Sequence, residues 1–505
     1  MTVRVRFAPS PTGFVHIGSL RTALYNYLFA KKHNGRFVLR IEDTDRSRFV
    51  EGASENLVRI LEWAGISADE GPGYNGTYGP YFQSQRTSIY KEQVEKLINA
   101  GAAYYAFDTP QEIEQMRQRQ RNQGVHTPKY DYSVRDQMRN SLRLSSSEVE
   151  EEIANGTAFV IRLKIPKDRI FRFQDRIRGE VEFSSDEIDD QVLIKSDGFP
   201  TYHLANVVDD HLMEITHIIR GEEWLSSVPK HLFIYESFGW DAPEMAHLPL
   251  IFNPDGSKMS KRNIQSLDDI PAGKVDPDVE SYRRKGYENS ALINYIALLG
   301  WNPGKGTEQE IFMPDELVTE FSLDRVNKSR AIFDLNKLNW LNKEHLGRQP
   351  TEELVKRLEP ELTQKKIDYK SDQYLYQVVD LVKSRLAFLQ EFIPYSHYFF
   401  QDPEHFDEKG IRKRWKSDSA KLVLEFCQEI SKLETFDVKS IEEALRRISD
   451  HHDVGAGRII HPVRLAVTGV TVGPGLFELL QILGKETVIR RLKYAAEKLP
   501  VYKQQ

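Results

Sequence analysis

A short strand that runs through a proline-rich turn directly into a helix, within residues 3–28, constrains the fold of this chain more than any other feature. Residues 3–7 are largely apolar, prolines and glycines follow, and apolar residues then recur at helical spacing at Leu20, Ala23, Leu24, Tyr27 and Leu28. Unpaired N–H groups and the positive end of the helix dipole favour an anion at such a helix start. His16 can donate to phosphate oxygens, and Gly18 lets a base or ribose approach the backbone. The turn therefore predicts a nucleotide phosphate site, with an ordinary turn and an incidental histidine as the alternative.

The following segments continue an alternation of strands and helices. Gly35 is predicted to cap the first helix, and residues 36–42 to form the next strand of a βαβ unit. This pattern predicts a doubly wound, Rossmann-type parallel sheet. A mixed α/β insertion interrupts it, with strands returning over residues 159–183 and a hairpin turn near Gly179, before the pattern resumes at residues 191–220.

Beyond about residue 325 the strand signals fade and helices dominate. Helices are predicted over residues 351–358, 377–392, 411–433, 441–448 and 485–499, and they indicate a separate helical region. Two basic segments, 412–416 and 490–493, could contact phosphates, although a solvated charged surface is the stronger interpretation of either one alone. The last helix is predicted to carry its basic residues on the polar side, at Arg490, Arg491, Lys493 and Lys498.

Composition limits the class of protein. The 505 residues suggest three or four domains at about 150 residues each. Hydrophobic residues make up 40% and the mean hydropathy is −0.52, which is typical of a soluble globular protein. No apolar run approaches the roughly 20 residues of a membrane helix. The first residues lack a signal or transit pattern, so we expect a cytoplasmic protein without membrane attachment.

A single cysteine and a mildly acidic charge exclude further classes. Cys427 alone cannot form an intrachain disulfide framework or a cysteine-based zinc cluster, and its apolar surroundings predict a small buried side chain. The net charge of −6 argues against a general nucleic-acid binder. An RNA-binding surface can still be locally basic on an acidic protein.

A second motif lies far downstream of His16. Residues 256–262, Gly-Ser-Lys-Met-Ser-Lys-Arg, place two lysines and a hydroxyl on a glycine-led loop. Ammonium groups can follow negative charge as it moves toward a departing pyrophosphate. Such a loop alone is more often a solvated turn, but its pairing with the His16 segment favours a nucleotide site.

These two motifs resemble the His-Ile-Gly-His and Lys-Met-Ser-Lys-Ser signatures of class I aminoacyl-tRNA synthetases. Further segments resemble bacterial-type glutamyl-tRNA synthetases, and the likeness covers nearly the whole chain: residues 6–13, 21–24, 39–45, 202–210, 220–224, 294–301 and 470–483. The resemblance implies an α/β multidomain fold with all-helical C-terminal anticodon-binding domains. The expected domains are a split Rossmann catalytic domain (1–101 and 191–252), an acceptor-binding insertion (102–190), a stem-contact domain (253–325), a helical bundle (326–385) and an anticodon-binding domain (386–505).

The resemblance also implies a two-step reaction, in which glutamate and ATP form glutamyl-adenylate and the tRNA ribose then accepts the glutamyl group. Catalysis would depend on positioning and on stabilising negative charge, with Mg²⁺ sharing that charge. His16, Lys258 and Lys261 are the expected catalytic residues. The expected ATP-binding residues are Pro9, His16, Gly18, Ser19, Glu223, Trp224, Lys258, Met259, Ser260, Lys261 and Arg262. Ser19 stands where many relatives carry a second histidine.

Amino-acid choice follows from charge. A site that pairs the substrate side-chain carboxylate with arginine leaves a buried cation unpaired when glutamine enters. By resemblance, Glu42 takes the α-ammonium group, and the other glutamate contacts come from Arg6, Ser10, Tyr202 and Arg220. Taken without the family, Glu42 and Arg220 could equally form an interstrand ion pair. Which arginine meets which carboxylate stays open.

The chain departs from its relatives in two places. Some relatives bind zinc in the insertion through cysteines, whereas this chain has Ala106-Phe107-Asp108 there and only the lone His126, so we expect no zinc and a surface position for His126. After the lysine loop, Asn263-Ile264-Gln265 replaces the common His-Gly-Ala, which leaves the closing motion of this loop open.

The expected partners are L-glutamate and tRNA(Glu), and we expect a monomer. A form that also charges tRNA(Gln) with glutamate is the main alternative. Another nucleotidyl transferase of the superfamily and a non-catalytic RNA-binding paralogue are the remaining ones, and the intact signature loops argue against the last.

Overall fold

The computed structural model describes residues 2–45, 50–260, 270–304 and 306–502. Contacts between Cα atoms divide the chain into two compact units, Met1–Lys285 with Leu292–Lys337 and Gly286–Ala291 with Leu338–Gln505. The expected domain boundaries are finer than this division and stay predictions. Lys261 and Arg262, from the lysine loop, lie outside the described residues.

The strands occupy the first unit. They are β1 (Arg4–Phe7), β2 (Arg36–Leu39), β3 (Ala103–Ala106), β4 (Val160–Leu163), β5 (Ile170–Asp175), β6 (Gly179–Ser184), β7 (Val192–Ile194), β8 (His217–Gly221), β9 (Glu244–Leu248), β10 (Ile251–Phe252) and β11 (Ala331–Ile332). The helices up to residue 348 are α1 (Ile17–Lys32), α2 (Ala53–Trp63), α3 (Thr87–Asn99), α4 (Pro110–Asn122), α5 (Ser146–Ala154), α6 (Tyr202–Leu212), α7 (Val228–Phe238), α8 (Val279–Arg284), α9 (Asn289–Leu298), α10 (Pro314–Glu320) and α11 (Leu335–Arg348).

A six-stranded sheet in the order β2-β1-β8-β9-β5-β6 forms the centre of the first unit. All neighbours are parallel except the β5–β6 hairpin. The next strand in the chain, β2, lies on one side of β1, and β8 lies on the other side of β1. The strand order therefore reverses between β1 and β8. Open α/β sheets bind ligands outside the carboxyl ends of their strands at such a reversal. The fold therefore predicts a site beyond Phe7 and Gly221.

The predicted βαβ unit is present, and the structure corrects the role of one glycine. Asn34, with a φ of 50°, takes the left-handed position after α1, and a Cβ atom on Gly35 would lie 2.3 Å from the Val3 carbonyl oxygen. Gly35 is therefore required by the close approach of β1, not as the cap of the helix. The strand β2 also ends at Leu39 rather than at residue 42.

The strands predicted over residues 159–183 divide between two sheets. β4 joins an antiparallel sheet of order β3-β4-β7. β5 instead pairs with β9 in the large sheet, in the register Asp175 opposite Met245, and turns into β6 at Gly179, where φ is 83°. The hairpin thus extends the central sheet although its residues lie within the range expected for the insertion.

The second unit is helical, as the sequence predicts, but the bounds of several helices differ: those predicted over residues 351–358 and 441–448 are longer, and those predicted over 377–392 and 411–433 end early. The helices of this unit are α12 (Thr351–Gln364), α13 (Asp372–Val382), α14 (Phe392–Ser396), α15 (Glu408–Arg414), α16 (Ser419–Ser431), α17 (Val438–His451), α18 (Gly457–Thr468), α19 (Leu476–Leu483) and α20 (Lys485–Lys498). The single helix predicted over residues 411–433 breaks at Trp415, which is buried and leaves the helical conformation. Likewise, the helix predicted over 377–392 ends at Val382. Cys427 is buried, as expected.

Among the helices of the described residues, none combines the length and apolar character that a membrane span requires.

Candidate active site

A cavity of about 430 Å³ lies at the carboxyl ends of β1 and β8. Of the residues that the sequence singles out, it is lined by Arg6, Pro9, Ser10, His16, Gly18, Ser19, Glu42, Tyr202, Arg220, Glu223, Trp224, Lys258 and Met259. The two motifs, around His16 and Lys258, lie more than 200 positions apart in the chain. The topology of the sheet therefore brings the two motifs into one site. Among the expected site residues that the structure describes, Ser260 does not line the cavity.

His16 caps the helix that begins at the cavity. Its Nδ1 accepts a hydrogen bond from the Gly18 N–H at 2.9 Å, so the proton of the neutral ring is on Nε2. The backbone of the turn is held from outside the motif, because Ile17 donates to the Pro277 carbonyl at 2.8 Å and Val279 donates to Val15 at 3.0 Å. The cap thus fixes the ring with a donor nitrogen beside the start of α1.

Two arginines and a carboxylate form a buried network on one side of the cavity. Arg6 Nε donates to Asp210 at 3.1 Å, and Arg40 Nη1 donates to the same carboxylate at 2.8 Å. With its amide oxygen facing the guanidinium groups, Asn206 accepts from Nη2 of Arg6 and of Arg40 at 3.2 Å each. The guanidinium of Arg6 is therefore oriented before any ligand enters.

Glu42 lies beside this network and is 8% exposed. Burial raises the pKa of its carboxyl group to about 7, although Arg40 and Arg6 act in the opposite direction. Arg40 Nη2 lies 3.5 Å from the Glu42 carboxylate. A cationic group that entered the cavity would favour the ionised form of this carboxyl, so Glu42 fits the expected role of an ammonium partner.

Arg220 and Tyr202 also line the cavity. Arg220 Nη1 donates to the Tyr202 hydroxyl at 2.6 Å, and the Tyr202 ring packs against Trp224 with 4.1 Å between the ring centroids. Burial raises the pKa of Tyr202, so its hydroxyl keeps its proton at neutral pH. The cavity therefore presents two arginines, on neighbouring strands, to an anionic ligand.

The lysine loop begins at β10 and returns along it. Met259 donates to the Ile251 carbonyl at 3.1 Å, with the turn at Gly256, where φ is 79°. Met259 is buried and Lys258 is exposed at the mouth of the cavity. The structure thus places the first lysine of the motif at the site, while Lys261 and Arg262 stay predictions.

The cavity lining also includes two carboxylates, Glu42 and Glu223. Glu223 is exposed, and its side chain folds over Gly221, where a Cβ atom would lie 2.1 Å from Oε2. Mg²⁺ prefers carboxylate and phosphate oxygens. A carboxylate at the open side of the cavity fits a metal ion held mainly by phosphate groups.

In the part of the chain that the structure describes, no cluster of three or more His, Cys, Asp or Glu side chains could hold a metal ion by itself. His126 is exposed, as expected.

Sequence reasoning missed several residues that organise the site. Asn206 and Asp210 follow Tyr202 at helical spacing along α6, and that spacing is a signal that could have identified them. Arg21, from α1, lines the cavity and donates to the carbonyl oxygens of Leu299, at 3.0 Å, and of Pro249. Arg21 lies in a segment that resembles the family, but no local pattern shows its role, because its partners lie more than 200 residues away.

One of the basic segments of the second unit has a structural role. Arg491 is 4% exposed and donates to the carbonyl oxygens of Tyr398 and Val467 at 2.8 and 2.7 Å, and to Asp402 at 2.8 Å. The expectation that Arg491 lies on the polar side of its helix is therefore wrong. Lys493, two residues on, is exposed.

Comparison with known proteins gives the family. Residues 2–340 match the family described as tRNA synthetases class I (E and Q), catalytic domain, and residues 353–496 match an anticodon binding domain. A glutamate–tRNA ligase of Chloroherpeton thalassium is 50% identical over 99% of this chain and 98% of its own length, and one of Chlorobaculum parvum is 48% identical over the same shares. A crystal structure of a glutamate tRNA ligase from Elizabethkingia meningosepticum, in complex with its amino acid, has a TM-score of 0.87 at 40% identity, covering 99% of this chain and all of that one. The chain therefore belongs to the glutamate–tRNA ligase family of class I tRNA synthetases.

Proposed function

We propose that this chain attaches L-glutamate to tRNA(Glu) in two ATP-dependent steps. The observation that carries the proposal is the single cavity at the β1–β8 reversal, where the His16 turn, Lys258 and two arginines meet. In the first step a glutamate α-carboxylate oxygen attacks the α-phosphorus of ATP and pyrophosphate leaves. In the second, a terminal ribose hydroxyl of the tRNA attacks the activated carbonyl, AMP leaves with the bonding electron pair, and the hydroxyl proton is released with it.

The nucleotide half of the cavity acts by orientation and charge. His16 donates from Nε2 to the α-phosphate, because its Nδ1 is occupied by the Gly18 N–H. Gly18 and Ser19 admit the adenosine at the start of α1, while Lys258 and Lys261 neutralise the departing pyrophosphate. Glu223 is the side chain that would help to hold a Mg²⁺ ion, which would supply positive charge to the phosphate oxygens.

The amino-acid half selects charge. Glu42 binds the α-ammonium group, while Arg6 and Arg220 bind carboxylate oxygens, with Ser10 and Tyr202 completing the contacts. Glutamine would replace one carboxylate by a neutral amide and leave a buried guanidinium without its anion, which costs more than the loss of one contact. The site can therefore reject glutamine without a separate editing step.

The tRNA completes the reaction. The family match to an anticodon binding domain over residues 353–496 supports recognition of tRNA by the helical region. We propose tRNA(Glu) as the substrate, a monomer as the working form and the cytoplasm as the location. Charging of tRNA(Gln) with glutamate is the alternative that the test must distinguish.

The test is charging of separated tRNA(Glu) and tRNA(Gln) with labelled glutamate, with glutamine as the control amino acid. We expect ATP-dependent glutamylation of tRNA(Glu) and none with glutamine. Charging of tRNA(Gln) as well would establish the relaxed form. Failure to charge either tRNA would contradict the proposal.

A further inference from the structure

Arg220 is connected to a carboxylate two strands away by a chain of hydrogen bonds through one histidine. Arg220 Nε donates to His247 Nε2 at 3.1 Å, and His247 Nδ1 lies 2.6 Å from Asp175 Oδ2. The strands β8, β9 and β5 carry these residues side by side, and Arg220 faces His247 directly in the parallel register. Asp175 and His247 are completely buried, and neither lines the cavity.

The two ends of the chain determine which ring nitrogen of His247 carries the proton. Arginine can only donate, so Nε2 must accept, and the proton of the neutral ring must be on Nδ1, where it donates to Asp175. Burial lowers the pKa of His247, which keeps the ring neutral. In the opposite tautomer, an N–H on Nε2 would face the N–H of Arg220.

Asp175 is itself held rigidly by the backbone. Its Oδ1 accepts from the N–H groups of Ile177, Arg178 and His247 at 2.9, 2.8 and 3.3 Å. Although burial acts in the opposite direction, the hydrogen bonds from His247 and from the backbone lower the pKa of Asp175, so the group is ionised. Oδ2 is thereby left to face the imidazole.

The other end of the chain is the ligand cavity. With Nε committed to His247 and Nη1 bonded to Tyr202, the plane of the Arg220 guanidinium is fixed. Nη2 makes a long contact of 3.4 Å with the Trp224 carbonyl. A guanidinium has five N–H donors, and the three used by these contacts leave two for a ligand.

We propose that Asp175 and His247 are positioning residues, which hold the Arg220 guanidinium in the orientation that binds a substrate carboxylate and so contribute to the choice of glutamate. The inference rests on the proposed role of Arg220 in glutamate binding. It deepens that role, because it assigns the selectivity of the cavity partly to two residues that never touch the substrate.

Asp175→Asn gives a test that depends on the tautomer. The three backbone N–H groups hold the amide oxygen in the place of Oδ1, so the amide NH₂ faces His247 Nδ1 and forces the proton to Nε2. Arg220 Nε then loses its acceptor and meets another donor. Because an unsatisfied buried donor is costly, we expect the KM for glutamate in tRNA(Glu) charging to rise about tenfold or more. The KM for ATP should change by less than about threefold.

His247→Gln separates positioning from general stability. Glutamine places an amide oxygen where Nε2 lies and needs no partner to choose a tautomer, so this variant should keep a glutamate KM near that of the parent chain. The double variant Asp175→Asn/His247→Gln should recover most of the loss seen in Asp175→Asn alone. His247→Leu, which offers no acceptor, should lose glutamate affinity and should not be rescued by Asp175→Asn.

Asp190→Asn is the matched control. Asp190 is also completely buried in the first unit, accepts from the Ile165 N–H at 3.0 Å and does not line the cavity. The variant Asp190→Asn should lower the unfolding temperature without a selective rise in the KM for glutamate. Unfolding temperatures of all variants show whether any change in KM reflects loss of fold.

The outcomes separate the two levels of the proposal. If Arg220→Lys leaves the KM for glutamate unchanged, the role of Arg220 itself is wrong. If Arg220→Lys raises this KM but Asp175→Asn does not, or if the double variant shows no rescue, the positioning role of Asp175 and His247 is wrong. A rise with Asp175→Asn, rescue by His247→Gln and no selective effect of Asp190→Asn would support it.

Discussion

At the scale of a single residue, burial raises the pKa of Glu42 to about 7. This shift favours the protonated carboxyl group in the folded protein, whereas binding of an ammonium group needs the ionised one. The ordinary value is 4.5, so the contribution of Glu42 to the free energy of unfolding is fully present below that pH and is lost as the pH rises through 7. Binding of an ammonium group requires the ionised form. The empty site therefore favours the protonated form of the Glu42 carboxyl group, and a bound ammonium group favours the ionised form.

The prediction is a pH dependence of glutamate affinity. Below about pH 7 the dissociation constant should rise, approaching tenfold for each unit, and binding near pH 7 should release a proton. Calorimetric titration in two buffers of different ionisation enthalpy measures both effects. Glu42→Gln should bind glutamate weakly, remove the proton release and unfold at a higher temperature at pH 8. A dissociation constant that stays constant between pH 6 and 8 would contradict this role for Glu42.

At the scale of elements, the strand–turn–helix at the start of the chain could be predicted because its signals are local. Turn residues, helical spacing and the helix start lie within 30 residues, and the structure confirms β1 and α1. The pairing of β5 with β9 could not be predicted, since parallel partners 70 residues apart leave no local pattern. For the same reason the roles of Asp175, His247 and Arg21 appear only when the sheet is assembled.

Gly35 provides a test at this scale. Gly35→Ala should destabilise the first unit by roughly 1–3 kcal/mol, because the added Cβ would lie 2.3 Å from the Val3 carbonyl oxygen and push β1 away from the turn. Gly455→Ala is the matched control, since nothing lies within 4 Å of a Cβ there. Chemical denaturation of both variants measures the difference. Equal stability of the two would show that the close approach of Val3 does not require glycine.

At the scale of the whole molecule, each unit contains a buried arginine that joins distant segments, Arg21 in the first and Arg491 in the second. Sequence reasoning identified the helical second half correctly but placed Arg491 on its polar side. Lysine and arginine are usually exposed, and the exception depends on carbonyl groups that a helix pattern does not show. The basic residues of the last helix therefore differ in role: Arg491 is buried and joins distant segments, whereas Lys493 is exposed to solvent.

Arg491→Met should destabilise the second unit by roughly 1–3 kcal/mol, because Asp402 and the carbonyl oxygens of Tyr398, Gln401 and Val467 all lose their donor. Lys493→Met, an exposed position on the same helix, should change the free energy of unfolding by less than about 0.5 kcal/mol. Denaturation followed by circular dichroism compares the two. Similar small effects would mean that Arg491 has no structural role.

The central claim is that one cavity, between the ends of β1 and β8, holds the amino acid and the nucleotide together. A crystal structure with a non-hydrolysable analogue of glutamyl-adenylate tests it most directly. The account predicts the α-amino group at Glu42, a carboxylate at Arg220 and Arg6, and the phosphate mimic beside His16 Nε2. An analogue bound outside this cavity, or with its amino-acid portion away from both arginines, would contradict it.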